Sequence, residues 1–324
     1  MNKVPLLSAV NLRKTFKVSS QGRAARILTA LDAVSLHLSY GETLGIAGES
    51  GCGKSTLAKV MAGLLSPDAG SVLYKGTPLS QLEASDKTSF RRKTQMIFQD
   101  PFSSLNPRMR VGDSISEPFI IAGMPASNQR AELVRIMAAV GLPEDTAQRF
   151  PDEFSGGQRQ RIGIARALAA SPEILIADEP VSSLDISIQA QIINILMQMK
   201  IDFTLSMMIV SHNLLILRHI CDRIIIMYLG AIVESGPAAE LFNRCRHPYT
   251  EALIAAIPGL QGSTASKSEL LRDDLPSALS IPAGCRFHPR CRHAVDLCRH
   301  EAPQMIEYAS GHTAACHMSA TLFG

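Results

Sequence analysis

Residues 48–56 read GESGCGKST, and this stretch decides the fold of the chain. The glycine at 48 and the Gly-Lys-Ser run at 53–55 have the spacing of a phosphate-binding loop. Glycines let successive backbone N–H groups point at phosphate oxygens, and a following helix adds its positive dipole end. Lys54 would supply a cation for the terminal phosphates and Ser55 a hydroxyl ligand for Mg²⁺. The residues predicted to bind a nucleotide here are Gly48, Ser50, Gly51, Cys52, Gly53, Lys54, Ser55 and Thr56.

The flanks of this loop predict a strand before it and a helix after it. ETLGIAG, at 42–48, is a short apolar run that favours a strand. Apolar residues then recur on one helical face from Leu57 to Leu65, so the helix is expected to continue until Pro67 and Gly70 stop it. This context favours a phosphate site over a Gly-rich turn that binds nothing.

A second stretch, ILIADEP at 174–180, is an apolar strand that ends in Asp178 and Glu179. An open α/β sheet presents its ligand crevice at the carboxyl ends of its strands. Asp178 would hold Mg²⁺ there, and Glu179 would orient and deprotonate the water that attacks the terminal phosphate. An acidic pair alone is usually a solvated strand end, but the phosphate loop favours the catalytic interpretation.

The remaining pattern predicts an α/β fold. LTALDAVSLHLSYG at 28–41 alternates apolar and polar residues and indicates an antiparallel sheet edge. Between about residues 105 and 150, the apolar residues have the spacing that is typical of helices. Two apolar runs, at 173–179 and 205–212, are typical of buried parallel strands, and a helix-like segment separates them. From about residue 260 a polar, Ser-rich linker is expected to lead into a tail rich in Cys and His.

Composition excludes several classes of protein. The chain has 324 residues, 46% of them hydrophobic and 19% charged, which excludes a disordered chain. The formal net charge of +3 gives no reason to expect nucleic acid as a partner. No apolar run is long enough for a signal peptide or a membrane span, so we expect a cytoplasmic protein.

Further motifs carry a family resemblance. FSGGQRQRIGIARAL at 154–168 places a serine and two glycines at a helix start, and a Ser-capped helix is the plain alternative. The stretch resembles the signature motif of ATP-binding cassette (ABC) proteins. Gln99 resembles the Q-loop of that family, Asp185 its D-loop and His212 its switch histidine. Asn213 stands where an Asp is common. The resemblance covers about residues 5–260.

The resemblance implies an α/β fold with a RecA-like core, an antiparallel β subdomain and a helical subdomain at about 100–165. It also implies a head-to-tail dimer in which each ATP lies between one phosphate loop and the other subunit's signature residues, Ser155, Gly156, Gly157 and Gln158. Glu179 and His212 would be catalytic, and Ser55, Gln99 and Asp178 would hold Mg²⁺. Phe16 would stack on adenine, although a buried core position is an equal alternative for it.

The chain also resembles one branch of the family. With a single cassette and no long coiled coil, it is unlike translation factors and DNA-repair ATPases. QDPFSSLNPRMRVG at 99–112, HPYTEALIAAIPG at 247–259 and the tail resemble the dipeptide, oligopeptide and nickel importers. This implies an ATPase on the cytoplasmic face of the membrane with two permease chains, a second ATPase subunit and, indirectly, a solute-binding protein. The second ATPase subunit is either another copy of this chain or, as is common in this group, a related chain. A soluble cassette ATPase without a transport role is the alternative.

The predicted C-terminal extension, residues 261–324, holds a cluster of cysteines. Its members, Cys285, Cys291, Cys298 and Cys316, are separated by 5, 6 and 17 residues. Zinc sites usually have a closer first pair and ferredoxin runs are tighter, so spacing alone is inconclusive. The resemblance implies a four-iron four-sulfur cluster on these four residues. Zinc and free thiols remain open.

Overall fold

A computed structural model of the chain describes residues 4–18, 25–100, 104–182, 184–257 and 277–324. These residues form two compact units. The first unit comprises Met1–His37, Thr43–Ser80 and Ser211–Gly324, and the second comprises Leu38–Glu42 and Gln81–Val210. The predicted linker after residue 260 lies outside the described residues, so the predicted domain boundary stays a prediction.

The strands are β1 (Leu7–Val18), β2 (Arg26–Leu38), β3 (Thr43–Ala47), β4 (Ala69–Tyr74), β5 (Thr77–Pro78), β6 (Thr94–Ile97), β7 (Ile174–Asp178), β8 (Ser206–Val210), β9 (Arg223–Tyr228), β10 (Ala231–Pro237), β11 (Ile306–Ala309) and β12 (His312–Ala314). The helices are α1 (Lys54–Met61), α2 (Ala84–Lys93), α3 (Val111–Ile121), α4 (Ala126–Ala139), α5 (Gly156–Ala169), α6 (Ile186–Asp202), α7 (Leu214–Ile220), α8 (Ala238–Asn243), α9 (Pro248–Ala255), α10 (Leu297–His300) and α11 (Ser319–Phe323).

The first unit contains a four-stranded sheet in the order β2-β1-β4-β5. β4 pairs antiparallel with β1 and with β5. In β2, Val34, Leu36 and Leu38 are buried while Ser35 and His37 are exposed. This alternation confirms the predicted half-buried strand at a sheet edge, because a period of two places successive side chains on opposite faces.

A second group of strands in the first unit positions the phosphate loop. β3 pairs in parallel with β9, with Ala47 opposite Ile226. β10 pairs antiparallel with both β9 and β12. All of β3 is buried, which accounts for its continuous apolar sequence, because a strand covered on both faces needs no polar alternation.

Helix α1 follows the loop but ends earlier than the apolar pattern predicts. Gly63 adopts a left-handed conformation, with φ at 71°. The Leu64 N–H donates to the Lys59 carbonyl oxygen and the Gly63 N–H to that of Val60, which is the hydrogen-bond pattern of a Schellman cap. The prediction that the helix continues to Pro67 was wrong, and Leu64 is 59% exposed.

In the second unit, β7 pairs in parallel with β6 and with β8. Helix α6 makes the crossover between β7 and β8, which confirms the predicted strand, helix and strand. Every residue of β7 and β8 is buried. Helices α3 and α4 confirm the predicted helical segment between about 105 and 150, with Ile136, Met137 and Val140 in its core. No helix in the described ranges has the length and apolar character that a membrane span requires.

Candidate nucleotide site

The phosphate loop joins β3 to α1 in a conformation that requires glycine at two positions. Gly48 and Gly53 have φ values of 149° and 103°. A Cβ atom on Gly48 would collide with the Met227 carbonyl oxygen, and one on Gly53 with that of Ala30. The loop therefore lies directly against the backbone of neighbouring segments, and any side chain at either position would displace it.

Lys54 is folded back over the loop. Its side chain is buried, and Nζ donates to the carbonyl oxygens of Gly48, at 2.8 Å, and Glu49, at 2.9 Å. The ammonium group therefore lies inside the curve of the loop, where phosphate oxygens could replace the carbonyls as acceptors. Burial raises the pKa of the neighbouring Cys52 thiol, so this side chain stays neutral and adds no negative charge beside the phosphates.

The N-terminus of α1 offers the positive end of a helix. Gly53 is its N-cap residue and provides no side-chain cap. Ser55 and Thr56 lie in the first turn, where backbone N–H groups lack acceptors within the helix. An anion is favoured at such a terminus, which agrees with the predicted nucleotide contacts.

Two predicted residues lie elsewhere in the first unit. Phe16, on β1, is 38% exposed, so the alternative of a buried core position was wrong. His212 is exposed and immediately precedes Asn213. The Asn213 side chain accepts hydrogen bonds from the backbone N–H groups of Leu215 and Ile216 and so caps α7. Asn and Asp cap helices equally well, so the departure from the family pattern has no structural cost.

The second unit holds the acidic pair. Asp178 ends β7 and is 3% exposed. Glu179 follows in a left-handed conformation, with φ at 48°, which is rare for a residue with a side chain and is concentrated at functional sites. Its N–H donates to the Val210 carbonyl oxygen at 2.9 Å. Gln99 Nε2 donates to Glu179 Oε2 at 3.1 Å, so the structure brings two of the predicted site residues together.

The signature stretch begins α5 with a reciprocal cap. Ser155 Oγ accepts from the Gln158 N–H, and Gln158 Oε1 accepts from the Ser155 N–H. The Ser-capped helix of the plain alternative is therefore present. A Cβ atom on Gly157 would lie 2.5 Å from Ile188 of α6, so this glycine permits close contact with the helix that begins after Asp185. The predicted role towards a partner's ATP is not tested by this arrangement.

The sequence analysis missed the residues that support the loop from outside. The His-Pro-Tyr run at 247–249 starts α9, with His247 Nδ1 accepting from the Tyr249 N–H at 3.0 Å. Burial lowers the pKa of His247 to about 3, so its ring is neutral and can accept. Tyr249 Oη in turn accepts from the Glu49 N–H, and Arg290 forms an ion pair with the Glu49 carboxylate. The sequence analysis used the His-Pro-Tyr run only as part of the family resemblance. Nothing in that run indicates that it lies close to the phosphate loop.

The cysteine tail brings its thiols within electrostatic reach of one another. All four cysteines lack disulfide bonds. Burial, together with the nearby Cys285, Cys291 and Cys298, raises the pKa of Cys316 to about 12. The Cys285 N–H donates to the Cys298 carbonyl oxygen at 2.9 Å. Within the described ranges, however, no group of three or more His, Cys, Asp or Glu side chains is placed to hold one metal ion.

A phosphate loop between a buried parallel strand and a helix, together with an acidic pair after a second buried strand, defines an ATPase of the P-loop type. The family model described as ABC transporter matches residues 31–182, and the model described as Oligopeptide/dipeptide transporter, C-terminal region, matches residues 233–298. The chain belongs to the ATP-binding proteins of the ABC transporter family, in the oligopeptide and dipeptide group. The resemblance predicted from the sequence is confirmed.

Curated relatives extend over almost the whole chain. An oligopeptide transport ATP-binding protein of Bacillus subtilis is 45% identical over 323 residues, which is 98% of each protein. A probable peptide ABC transporter ATP-binding protein of Sinorhizobium fredii is 46% identical and covers 91% of this chain and 84% of its own length. A putative peptide import ATP-binding protein of Brucella ovis is 43% identical and covers 98% of both.

Solved structures agree on the cassette fold. A dimeric ATP-binding cassette in a post-hydrolysis state, bound to ADP and Pi, is 28% identical with a TM-score of 0.64 and covers 72% of this chain and 98% of its own. A part of an ABC transporter complex from Clostridium perfringens is 25% identical with the same TM-score of 0.64 and covers 74% and 91%. The predicted ABC ATPase fold is confirmed, and the chain is an ATPase of a family that uses ATP with Mg²⁺.

Proposed function

We propose that this chain is the ATP-hydrolysing subunit of a bacterial importer for peptides or a related small solute. One observation carries the proposal: a cassette and an oligopeptide/dipeptide C-terminal region follow one another in the same chain. The relatives named for peptide import match it over nearly their full length. Because a cassette does not form a pore itself, two membrane permease chains are the expected partners, and the chain acts on them from the cytoplasmic face.

At the nucleotide site, residues 48–56 bind the phosphates through backbone N–H groups and the Lys54 ammonium. Phe16 stacks on adenine, for which its exposed ring is suited. Ser55, Gln99 and Asp178 would hold Mg²⁺, which would supply positive charge to offset the charge that develops on the phosphate oxygens. Glu179 removes the proton from the attacking water, and Gln99 orients the Glu179 carboxylate through their hydrogen bond. His212 is the second catalytic residue and acts at the terminal phosphate.

In the dimer, the residues 155–158 contact the ATP of the partner subunit and Asp185 lies at the shared interface. The reciprocal cap between Ser155 and Gln158 would open when their polar groups turn to a phosphate. We propose that the partner is a second, related cassette subunit. A solute-binding protein joins the complex only through the permease chains.

The tail is proposed to hold a four-iron four-sulfur cluster on Cys285, Cys291, Cys298 and Cys316. Zinc on the same thiols is the alternative. A four-iron cluster takes one thiolate from each of four cysteines, and Cys285, Cys291 and Cys298 lie near enough to Cys316 to raise its pKa. The cluster would brace the tail.

The chemical roles are tested by Glu179→Gln. Removal of a general base slows a reaction by about 10²–10⁴-fold, so we expect phosphate release to fall by that factor while the dissociation constant for ATP is unchanged. Glu240→Gln, on the exposed face of α8, is the matched control. Wild-type ATP turnover in the Glu179 variant would disprove the assigned role.

The transport role is tested by tagging the chain in its own cell, solubilising the membranes gently and identifying what co-purifies by mass spectrometry. We expect two multi-spanning chains and a second cassette subunit, and the complex reconstituted in vesicles should take up labelled peptides only with ATP. Recovery of the chain without any membrane protein would favour the alternative, a soluble ABC ATPase.

The cluster is tested by Cys285→Ser in protein purified without oxygen. Iron and acid-labile sulfide should fall to background, and the tail should be cleaved faster by protease. Cys245→Ser, outside the four-cysteine set, should keep both properties. Unchanged iron content and protease resistance in Cys285→Ser would rule the cluster out.

A further inference from the structure

Glu49, the second residue of the phosphate loop, is held through all its polar groups. Its N–H donates to Tyr249 Oη at 2.9 Å, and its carbonyl oxygen accepts from Lys54 Nζ at 2.9 Å. Its carboxylate accepts two hydrogen bonds from the Arg290 guanidinium, at 2.6 and 3.1 Å. Paired bonds of this kind fix both the distance and the orientation of the carboxylate. Glu49 is therefore one point at which side chains fix the loop to the rest of the first unit.

The Arg290 partner is buried and comes from the C-terminal tail. The Arg290 side chain is 5% exposed and that of Glu49 17%. Arg290 also lies over the Tyr228 ring, 5.9 Å from its centroid. Burial is the largest single influence on the pKa of Arg290 and lowers it, but the hydrogen bonds with Glu49 and Tyr228 and the charge of Glu49 together outweigh burial and raise the pKa above its ordinary value. A buried ion pair of this kind is costly to break from one side, because the remaining charge has no partner.

The tail reaches the other end of the loop as well. The Arg286 guanidinium donates to the Leu229 carbonyl oxygen and to the Asp32 carboxylate. The next residue, Gly230, donates its N–H to the Cys52 carbonyl oxygen at 2.9 Å. One short segment, residues 285–291, therefore contacts the loop directly at Glu49 and indirectly at Cys52.

Aromatic packing keeps this segment in place. Phe287 is 2% exposed. Its ring centroid lies 5.4 Å from that of Tyr228 and 5.4 Å from that of Tyr249. The Tyr249 hydroxyl that binds Glu49 and the Tyr228 ring beneath Arg290 thus belong to the same cluster. The support of the loop is a packed unit rather than a pair of isolated surface contacts.

We propose that Arg290 is a positioning residue for ATP binding, which holds the phosphate loop in its nucleotide-binding shape through Glu49. The C-terminal segment is then part of the framework of the nucleotide site. A loop that is already ordered loses less conformational entropy when the phosphates bind. This inference rests on the assignment of residues 48–56 as the nucleotide site.

The test is a double-mutant cycle on the full chain with Arg290→Gln, Glu49→Gln and the double variant, using titration with ATP in the presence of Mg²⁺. Loss of one charged hydrogen-bonded pair is expected to weaken ATP binding by roughly tenfold in each single variant. Because both changes remove the same pair, the double variant should be no weaker than the weaker single variant. The KM for ATP should rise while kcat at saturating ATP is retained, and Arg290→Lys should restore part of the affinity.

Two reference variants separate this inference from the proposals on which it depends. Arg292→Gln, at the residue that follows this segment, removes a more exposed ion pair with Glu251 and should leave ATP affinity unchanged. Lys54→Ala reports on the nucleotide site itself, so an unchanged dissociation constant there would reject that site.

If Lys54→Ala weakens binding but both Arg290→Gln and Glu49→Gln lower only the melting temperature, the pair is a structural brace and the inference is overturned. Losses that multiply to about a hundredfold in the double variant would also overturn it, because Arg290 and Glu49 would then act independently.

Discussion

The phosphate loop and the cysteine tail are both candidate sites in the first unit, but they differ in how their residues are arranged along the sequence. The loop occupies consecutive residues, 48–56, and its proposed binding groups are mainly backbone N–H groups and the end of one helix. The tail spreads its four thiols from Cys285 to Cys316. A site that consists of local backbone groups can be predicted from the sequence. A site that consists of side chains far apart in the sequence depends on how the chain folds.

The comparison also shows that the two regions are not independent. The segment between Cys285 and Cys291 carries Arg290, which binds Glu49 in the loop. The structure of the loop thus depends on local residues, its glycines and Lys54, and on a distant residue, Arg290 of the tail. The variants below separate these contributions, from the largest expected effect to the smallest.

Lys54→Ala should have the largest effect, because it removes the buried ammonium that lies inside the loop. Charged hydrogen bonds to phosphate contribute about 1.5–3 kcal/mol each, so ATP affinity should fall by about 10²-fold or more. Isothermal titration with Mg²⁺ and ATP measures this change. Lys59→Ala, an exposed lysine on the same helix, serves as the control, and equal affinity in the two variants would contradict the local encoding of the site.

Gly53→Ala should follow, because its φ of 103° strains any residue with a side chain and the added Cβ would collide with the Ala30 carbonyl oxygen. Strain and overpacking together should cost about 2–3 kcal/mol in the free energy of unfolding, which urea denaturation measures.

Gly51→Ala is the matched variant, since φ there is 81° but no atom lies within 4 Å of the new Cβ. It should show only the backbone strain, about 1–2 kcal/mol. Equal losses at Gly51 and Gly53 would show that close packing against Ala30 contributes nothing.

Tyr249→Phe probes the distant support. It removes the hydroxyl that accepts from the Glu49 N–H and leaves the ring in place. An unsatisfied buried N–H costs about 1–3 kcal/mol, so the free energy of unfolding should fall by about 1 kcal/mol. Tyr40→Phe, at a ring that is 58% exposed, should be neutral. If Tyr40→Phe lowered the free energy of unfolding and Tyr249→Phe did not, the expected support of the loop by the Tyr249 hydroxyl would be contradicted.

A surface ion pair outside both regions should give the smallest effect. Asp68 accepts from Lys14 at 2.7 Å and from the Thr15 backbone and hydroxyl. These bonds lower the pKa of Asp68 from 3.8 to about 2. Its folded-state pKa lies below the unfolded value, so its stabilisation is present above pH 3.8 and is lost as the pH falls through about 2.

Asp68→Asn should therefore melt slightly below wild type at pH 7, and the two melting curves should converge near the acid end. Solvent screening keeps the difference small, because the Asp68 side chain is 40% exposed. Thermal melts across the pH range measure it. A gap between the two proteins that widens as the pH falls would contradict the sign of the linkage.

Much of the fold was predictable where one physical signal dominated. Continuous apolar runs identified the buried strands β3, β7 and β8, and alternation identified β2, because burial on one face or two leaves different patterns. The end of α1 was not predictable from apolar periodicity, since the left-handed Gly63 and its cap determine it. The sequence analysis also assigned no helix to residues 84–93, where α2 is strongly charged and buries only Phe90.

The sequence by itself determined the cassette class, the phosphate loop and the strand with its acidic pair, because these depend on short-range backbone geometry and on residue type at fixed spacing. Only the tertiary structure decided that Phe16 is exposed, that Gln99 reaches Glu179, and that a tyrosine and an arginine from the C-terminal region hold Glu49. Those contacts join residues as many as 241 positions apart. The distance between such residues is set by the packing of the whole core, which no local pattern records.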